Sequence, residues 1–359
     1  MMHFRTAAHG LVFLFGLALG FGSPARADVI SSPAGTVFPS SGSFWVGIDN
    51  VPASNQVGNL WDTPNGIGFF RTSDGYDPIA FIPPRESWGV SDGAVSGYVD
   101  PNGSLLAPLR VKNITSISSN FTNPNQATVS AYLVNPANSA NVLRIDQTYT
   151  FVANNVLKIA MQISNLDPSN PSGDVLVQRN VAWGITPFLT TPTEFVTVPP
   201  LSGQVVRATY DATTAAAASA DPLGPYNFPS PPGGGTFGPL DLGAGITYDA
   251  GILAPMGAPG GGDVKTVNFF EAINTAAFDP THGLGQSPSS LLAQVNALGG
   301  NFAILGFNAA DPTGTPPNGQ GTNSAILAVE VTLVPEPATF ALFGLGLAGL
   351  VGWCRRRPA

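Results

Sequence analysis

The stretch NVLRIDQTYTFVANNVLKIAMQISNL (residues 141–166) decides the fold class. Apolar and polar side chains alternate on both sides of an Asn-Asn pair, and a period of two residues is typical of strands with one buried face. Asn154 and Asn155 tolerate the positive φ of a tight turn. The stretch therefore predicts an antiparallel hairpin. Its inward residues are Leu143, Ile145, Tyr149, Phe151, Leu157, Ile159, Met161 and Ile163.

Further stretches alternate in the same way. A third strand is predicted within residues 174–185, and others within 42–48, 127–134, 265–273 and 325–334. Many short strands between turn clusters predict an all-β fold, an antiparallel β-sandwich. The third strand is expected to place on one face Val175, Val177, Val181, Trp183 and Ile185.

One short helix is predicted near residues 287–299. Ser287 can cap it, Pro288 suits its first turn and Gly299 ends it. The side chains expected on its apolar face are Leu291, Leu292, Val295 and Leu298.

Composition limits the classes of function. The chain has 42 Gly and 34 Pro but only 10% charged residues, which favours turns and strands. From residue 28 to 334, 21 acidic residues face 9 basic ones, a net charge of −12 against −8 for the whole chain. Such a surface repels phosphate backbones, so no nucleic-acid partner is expected. Cys354 is the only cysteine, and it lies in the tail.

The N-terminus has the pattern of a signal peptide. Arg5 precedes an apolar run over residues 11–22, and Ala25 and Ala27 supply the small residues of a cleavage site. A membrane anchor is the alternative, but about 12 apolar residues cannot cross a core of about 30 Å. Residues 1–27 are therefore predicted to be a signal helix that is removed on export.

The C-terminus predicts a membrane segment. Residues 338–354 carry no charge, and their length of 17 residues is the lower limit for a transmembrane helix. Arg355, Arg356 and Arg357 follow directly. A basic cluster on the cytoplasmic side places the body outside. The run GLGLAG (residues 344–349) matches a dinucleotide fingerprint in letters only, because no strand precedes it.

The tail as a whole resembles the PEP-CTERM sorting signal of exopolysaccharide-producing Gram-negative bacteria, also catalogued as the ice-binding protein C-terminal domain. Pro335, Glu336 and Pro337 match its triplet, and the apolar helix and arginine cluster follow in order within residues 334–359. The resemblance implies passage through the inner membrane and processing by exosortase near the triplet. An uncleaved tail anchor is the alternative.

Residues 28–333 are expected to form one extracytoplasmic domain with Gly/Pro-rich surface loops at 226–263 and 310–323. The order of its strands and helix is similar to that of galactose-mutarotase-like supersandwich bodies found ahead of this tail. Those usually carry an Asp-Trp-Asp type motif where this chain has Ala182, Trp183 and Gly184. The departure removes both carboxylates.

Few residues in the body suit catalysis. His282 is its only histidine, in a Gly-rich loop, and no serine sits in a nucleophile elbow. Paired carboxylates could hydrolyse glycosides, but Glu271 and Glu330 are expected to face outward on their strands. Burial would instead raise their pKa and make a catalytic acid plausible. The remaining glutamates of the body are Glu86 and Glu194.

Turn-forming Asp and Asn residues offer oxygens for Ca²⁺, but no twelve-residue loop closes with Glu, and ordinary turns explain them. These residues are Asp74, Asp77, Asp100 and Asn102. No catalytic residue, metal site or cofactor is predicted.

Exposed aromatic rings can stack on sugars, although most tryptophans are expected in the core. The candidate glycan contacts are Trp45, Trp61, Trp88 and Trp183. We expect an exported envelope or exopolysaccharide-associated protein, anchored by its tail and then released to the cell surface or matrix, with a structural or adhesive role and no enzymatic activity. The alternative is a carbohydrate-binding or carbohydrate-active secreted protein.

Overall fold

The computed structural model describes the core of the chain. The described residues are 28–31, 44–48, 58–60, 67–79, 86–100, 110–123, 126–185, 194–210, 220–224, 231–240, 243–258, 262–279, 282–308 and 322–332. The signal segment, Trp61, most of the 310–323 segment and the whole sorting tail lie outside these ranges. In the part described, no helix is long and apolar enough to cross a membrane.

The fold is all-β, with antiparallel strand pairs and one short helix in the described residues. In chain order the strands are β1 (Asp28–Ser31), β2 (Phe44–Ile48), β3 (Phe69–Arg71), β4 (Glu86–Ser91), β5 (Ser96–Asp100), β6 (Arg110–Lys112), β7 (Ile114–Asn123), β8 (Gln126–Val134), β9 (Asn141–Ala153), β10 (Val156–Asn165), β11 (Val175–Ala182), β12 (Glu194–Val198), β13 (Val205–Thr209), β14 (Gly235–Leu240), β15 (Gly243–Gly251), β16 (Val264–Ile273), β17 (Phe302–Asn308) and β18 (Ser324–Val329); the helix α1 (Pro288–Ala297) lies between β16 and β17.

The described strands form three sheets. The large sheet has the order β14-β12-β17-β18-β16-β10-β9-β8-β7, the small sheet β13-β15-β11-β4-β5-β6, and a three-stranded sheet β1-β2-β3. Inward residues of the large sheet, such as Ile145 and Ile159, share one core with Val90, Val177 and Ile246 of the small sheet. The predicted antiparallel β-sandwich is confirmed.

The hairpin that decides the fold is present as β9 and β10, but its turn differs from the prediction. Asn113 and Ser139 are the non-glycine residues with positive φ in the described chain, so neither asparagine of the turn has one. Val152 is an extra residue in the β9–β10 ladder, a bulge that increases the local twist. Asn155 instead donates through its amide to Ile273 O at 2.7 Å.

The predicted helix is confirmed as α1, which packs on the outer face of the large sheet. Ser287 Oγ accepts from Ser290 N at 3.2 Å, as an N-cap does, and Gly299 has a φ of +107° just past the helix end. Leu291 and Val295 are buried. Leu298 is 36% exposed, so the apolar face is narrower than predicted.

Two sequence expectations about loops and strand ends are wrong. Residues 226–263 contain β14 and β15, and β15 lies inside the small sheet between β13 and β11. The many small residues of β15 gave no clear alternation of apolar and polar side chains. Pro239 is compatible with β14 because β14 is an edge strand. The last strand ends at Val329, five residues earlier than predicted.

Candidate functional site

A charged side chain lies at the centre of the sandwich. Arg179 is in phase with Val177 and Val181 on β11, so the strand that buries these valines also turns the guanidinium inward. Its side chain is 0% exposed. Glu86 on β4, in the same sheet, is buried and lies 2.8 Å from it, Oε1 to Nη2.

The large sheet supplies the other partners. Glu271 on β16 accepts from Arg179 Nε at 3.1 Å, and Gln147 on β9 accepts from Arg179 Nη1 at 3.2 Å. The Tyr149 hydroxyl oxygen lies 2.9 Å from Gln147 Oε1. The interior cluster, Arg179, Glu86, Glu271, Gln147 and Tyr149, therefore joins the two sheets through polar contacts inside an apolar core.

Residues 58–60 close one side of the interior cluster. Leu60 N donates to Glu86 Oε2 at 2.7 Å, and Tyr149 OH donates to Gly58 O at 2.5 Å. Gly58 has a φ of +80°, and a Cβ there would lie 2.7 Å from Gln147 Nε2. Only glycine fits this close approach.

The electrostatics of the interior cluster favour one bound proton. Two ionised glutamates beside one arginine would leave a net negative charge in the core, which is costly. Burial raises the pKa of Glu86 to about 8, against the opposing effect of Arg179, and the charge of Glu271 raises it further. Burial also raises the pKa of Glu271. At neutral pH the pair therefore holds a proton.

Hydrogen bonding at the interior cluster is incomplete. Glu271 Oε2 is buried and has no hydrogen-bond partner. The 2.8 Å contact between Arg179 Nη2 and Glu86 Oε1 is an ion pair without hydrogen-bond alignment, so these two atoms also lack a directed bond. The cluster fixes the sheets relative to each other at an energetic cost, and its carboxylates are closed to a substrate.

A second buried arginine joins the three-stranded sheet to the large sheet. Arg71 on β3 donates to Asp74 through Nε at 2.8 Å and through Nη2 at 2.6 Å. Its Cζ atom lies over the Tyr76 ring, 4.7 Å from the ring centroid. Across the interface it donates to Asn274 O at 2.6 Å and Asn323 Oδ1 at 2.9 Å. Of these four neighbours only Asp74 is charged.

Comparison with known proteins identifies the tail. The family described as the PEP-CTERM protein-sorting motif matches residues 333–357, which include the Pro-Glu-Pro triplet and the three arginines. The chain carries a PEP-CTERM sorting motif. The resemblance found in the sequence is confirmed, and the motif implies an exported protein with exosortase as its processing partner.

The solved structures that resemble this chain are distant from it. A galactose mutarotase-like protein from Lactobacillus casei ATCC 334 is 13% identical over 86% of this chain and 91% of its own, with a TM-score of 0.31. A putative aldose 1-epimerase from Escherichia coli K12 is 9% identical over 85% and 99%, with a TM-score of 0.28. A comparison with curated protein sequences found no match. The chemistry of this chain is therefore inferred from its own residues alone.

Sequence reasoning missed the centre of the interior cluster. Arg179 and Gln147 fall in phase with buried apolar residues on their strands, and this periodicity was the available signal. Glu271, expected to face outward, is 2% exposed because it shares the inward phase of Phe269 and Ile273. Glu330 is exposed and accepts from Asn268 Nδ2 at 2.7 Å.

The tryptophans predicted to contact glycans differ in how far they are exposed. Trp88 and Trp183 are buried, so neither ring offers a face to a sugar, and the expectation for them is corrected. Trp45 is 39% exposed and lies 5.8 Å from Phe70 between ring centroids. Trp61 lies outside the described residues.

The remaining polar candidates have local partners. Asp77 accepts from Gly68 N at 2.8 Å and Ile79 N at 3.0 Å, which is turn chemistry. The exposed His282 contacts Asp279 through Nδ1 at 2.6 Å. Within the described ranges no three His, Cys, Asp or Glu side chains gather as a metal site requires.

Proposed function

We propose that the exported body has a structural or adhesive role in the envelope or exopolysaccharide layer and is not an enzyme. The observation that carries this proposal is the sorting motif at residues 333–357, which directs the body to the outside of the inner membrane. The closed state of the interior cluster supports it, because Glu86 and Glu271 would need contact with a glycosidic bond to hydrolyse it.

The intact mass of the secreted full chain tests the sorting step. In cells with exosortase we expect a C-terminus near the Pro335–Pro337 triplet, and in cells without it an unprocessed tail. Glu336→Ala should block processing, while Glu330→Ala, an exposed glutamate upstream of the motif, should not. The same full-length mass in both strains would refute exosortase processing.

Catalysis is tested separately on polysaccharide from the host. The purified protein should release no reducing ends during prolonged incubation. Release that disappears in both Glu86→Gln and Glu271→Gln, while Glu330→Gln keeps it, would overturn the non-enzymatic proposal.

One observation favours glycan binding as a second function. Trp45 on β2 and Phe70 on β3 are paired across the three-stranded sheet and form an aromatic surface. Exposed aromatic rings stack on sugar faces. Trp45→Ala should weaken binding to host polysaccharide, whereas Ile252→Ala, which removes a 57% exposed side chain elsewhere, should not. Equal binding by both variants would exclude this aromatic pair as a contact.

A further inference from the structure

A groove of about 370 Å³ lies at one end of the sandwich, away from the interior cluster. It is formed by the β4–β5 turn, the end of β6, the β8–β9 turn and a loop after β13. Its volume is within the range of small-molecule sites, about 300–1,000 Å³. The lining residues that matter here are Val95, Ser96, Lys112, Asn113, Asp221 and Leu223.

The loop wall of the groove is held in place. Arg207 on β13 donates from its guanidinium to the carbonyls of Pro222 and Gly224. Leu223 N donates to Asp221 Oδ1 at 3.1 Å. Ala220 is buried, and its carbonyl lies so close to Gly89 that a Cβ there would be 1.9 Å from it. These contacts hold residues 220–224 against β4 and β13.

Polar groups of both signs converge inside the groove. Lys112 Nζ lies 3.1 Å from Asp221 Oδ2 and 3.4 Å from Ser96 Oγ. Asn113 donates to Ser96 O at 2.8 Å and has a φ of 56°, a conformation that non-glycine residues rarely adopt. The Asp221 side chain is 16% exposed and the Lys112 side chain 47%, so a ligand can reach both.

The charges select the class of ligand. Lys112 and Asp221 cancel each other, so the described lining has no net charge to attract an ion. Partial burial acts to raise the pKa of Asp221, but hydrogen bonds from Ser96 and Lys112 outweigh this effect, so the pKa lies below its ordinary value. The side chain therefore stays ionised and accepts hydrogen bonds. Acidic ligands also meet the net charge of −12 on residues 28–334.

We propose that this groove binds a sugar residue of a neutral glycan, with Asp221 accepting from ligand hydroxyls and Lys112 and Asn113 donating to them. Sugar hydroxyls both donate and accept hydrogen bonds, which suits a groove that holds a carboxylate, an ammonium and an amide, and Val95 and Leu223 add apolar lining beside them. The proposal rests on the proposed adhesive function and names a binding surface distinct from Trp45.

Binding is measured with the full chain in detergent against an immobilised panel of neutral and uronic-acid oligosaccharides that includes fragments of the host polysaccharide. We expect binding to at least one neutral glycan, weakened about tenfold or more by Asp221→Asn, because the amide accepts less strongly and the Lys112 charge is left unpaired. Lys265→Ala, which removes an exposed lysine on β16, should bind normally.

A second variant keeps the test valid if Asp221→Asn disturbs the loop. Ala94→Trp places a large ring at an exposed position of the groove and leaves the Lys112–Asp221 pair intact. It should abolish binding, while Ala293→Trp on the exposed side of α1 should not. Binding of acidic glycans alone, absence of neutral-glycan binding, or neutral binding unaffected by Ala94→Trp would each overturn the proposal. None of these outcomes bears on processing by exosortase, which the intact mass of the secreted chain tests separately.

Discussion

The interior cluster and the groove both pair a cation with a carboxylate, and they differ in what surrounds the pair. Arg179 and its two glutamates have almost no exposed surface, whereas the Lys112 side chain is 47% exposed. Water screens the second pair and remains available to whichever partner loses the other. The first pair has no such substitute, because it lies between the two sheets.

This difference separates structural from functional roles. Removing one partner of a buried ion pair costs about 3–5 kcal/mol, whereas an exposed pair contributes about 0–1 kcal/mol. A protein can therefore change the groove with little effect on folding but cannot change the interior cluster. Ligand binding is expected at the tolerant region.

The largest effect is expected from Arg179→Met. The variant leaves Glu86 and Glu271 in the core without a cation, so the free energy of unfolding should fall by about 3–5 kcal/mol in urea denaturation. Arg144→Met, which removes an arginine whose side chain is 47% exposed, is the matched control and should cost less than about 1 kcal/mol. Equal losses would mean that burial does not distinguish the regions.

The phase of each strand predicted much of the fold, and the same phase contained the site. The alternation in β9, β10 and β11 was sufficient to assign inward faces correctly for Ile145, Ile159 and Val177. A polar residue in phase, such as Arg179, conflicts with that pattern. Its placement depends on Glu86 and Glu271, which are 93 and 92 positions away in sequence.

The groove could not be predicted from the sequence for a related reason. Ser96, Lys112 and Asp221 belong to three segments with no shared motif. Ser96 and Lys112 lie on the neighbouring strands β5 and β6, whereas β13 is at the opposite edge of the small sheet, and the loop that follows it places Asp221 beside them. The sorting tail is the opposite case. Its triplet, apolar run and arginines are contiguous, so the sequence contains the whole signal.

Glu86→Gln tests the proton held by the interior cluster. The folded-state pKa of Glu86 is about 8, above its ordinary value of 4.5, so the folded chain binds more protons than the unfolded chain between these values. Stability from this group is complete below about pH 4.5 and falls as pH rises through 8, by about 1.4 kcal/mol per pH unit at most.

In Glu86→Gln that decline between pH 5 and 8 should become shallower in urea denaturation measured at each pH. Glu330→Gln, at an exposed glutamate, should keep the slope of the unsubstituted protein. A steep decline that persists in Glu86→Gln would assign the proton to another group.

Arg71→Ala lies between the two extremes. The arginine is buried, but the Asp74 side chain is 45% exposed and can be hydrated when the cation is lost. Its other hydrogen bonds go to the uncharged groups of Asn274 and Asn323. We expect a loss of about 2–3 kcal/mol, less than for Arg179→Met. A loss larger than that of Arg179→Met would show that the link to the three-stranded sheet matters more than the interior cluster.

The smallest effect is expected at the groove. In a double-mutant cycle of Lys112→Ala and Asp221→Ala, the coupling free energy should be at most about 1 kcal/mol and should decrease with added salt, because the pair is partly hydrated. Each single variant should nevertheless weaken binding of a neutral glycan about tenfold or more, since the ligand excludes the water that compensates for the missing partner. A coupling energy above 3 kcal/mol would place this pair with the interior cluster as a structural element. A small coupling energy in folding together with a large loss of glycan binding would identify a recognition surface, because the pair would then stabilise the complex with the ligand much more than it stabilises the folded chain.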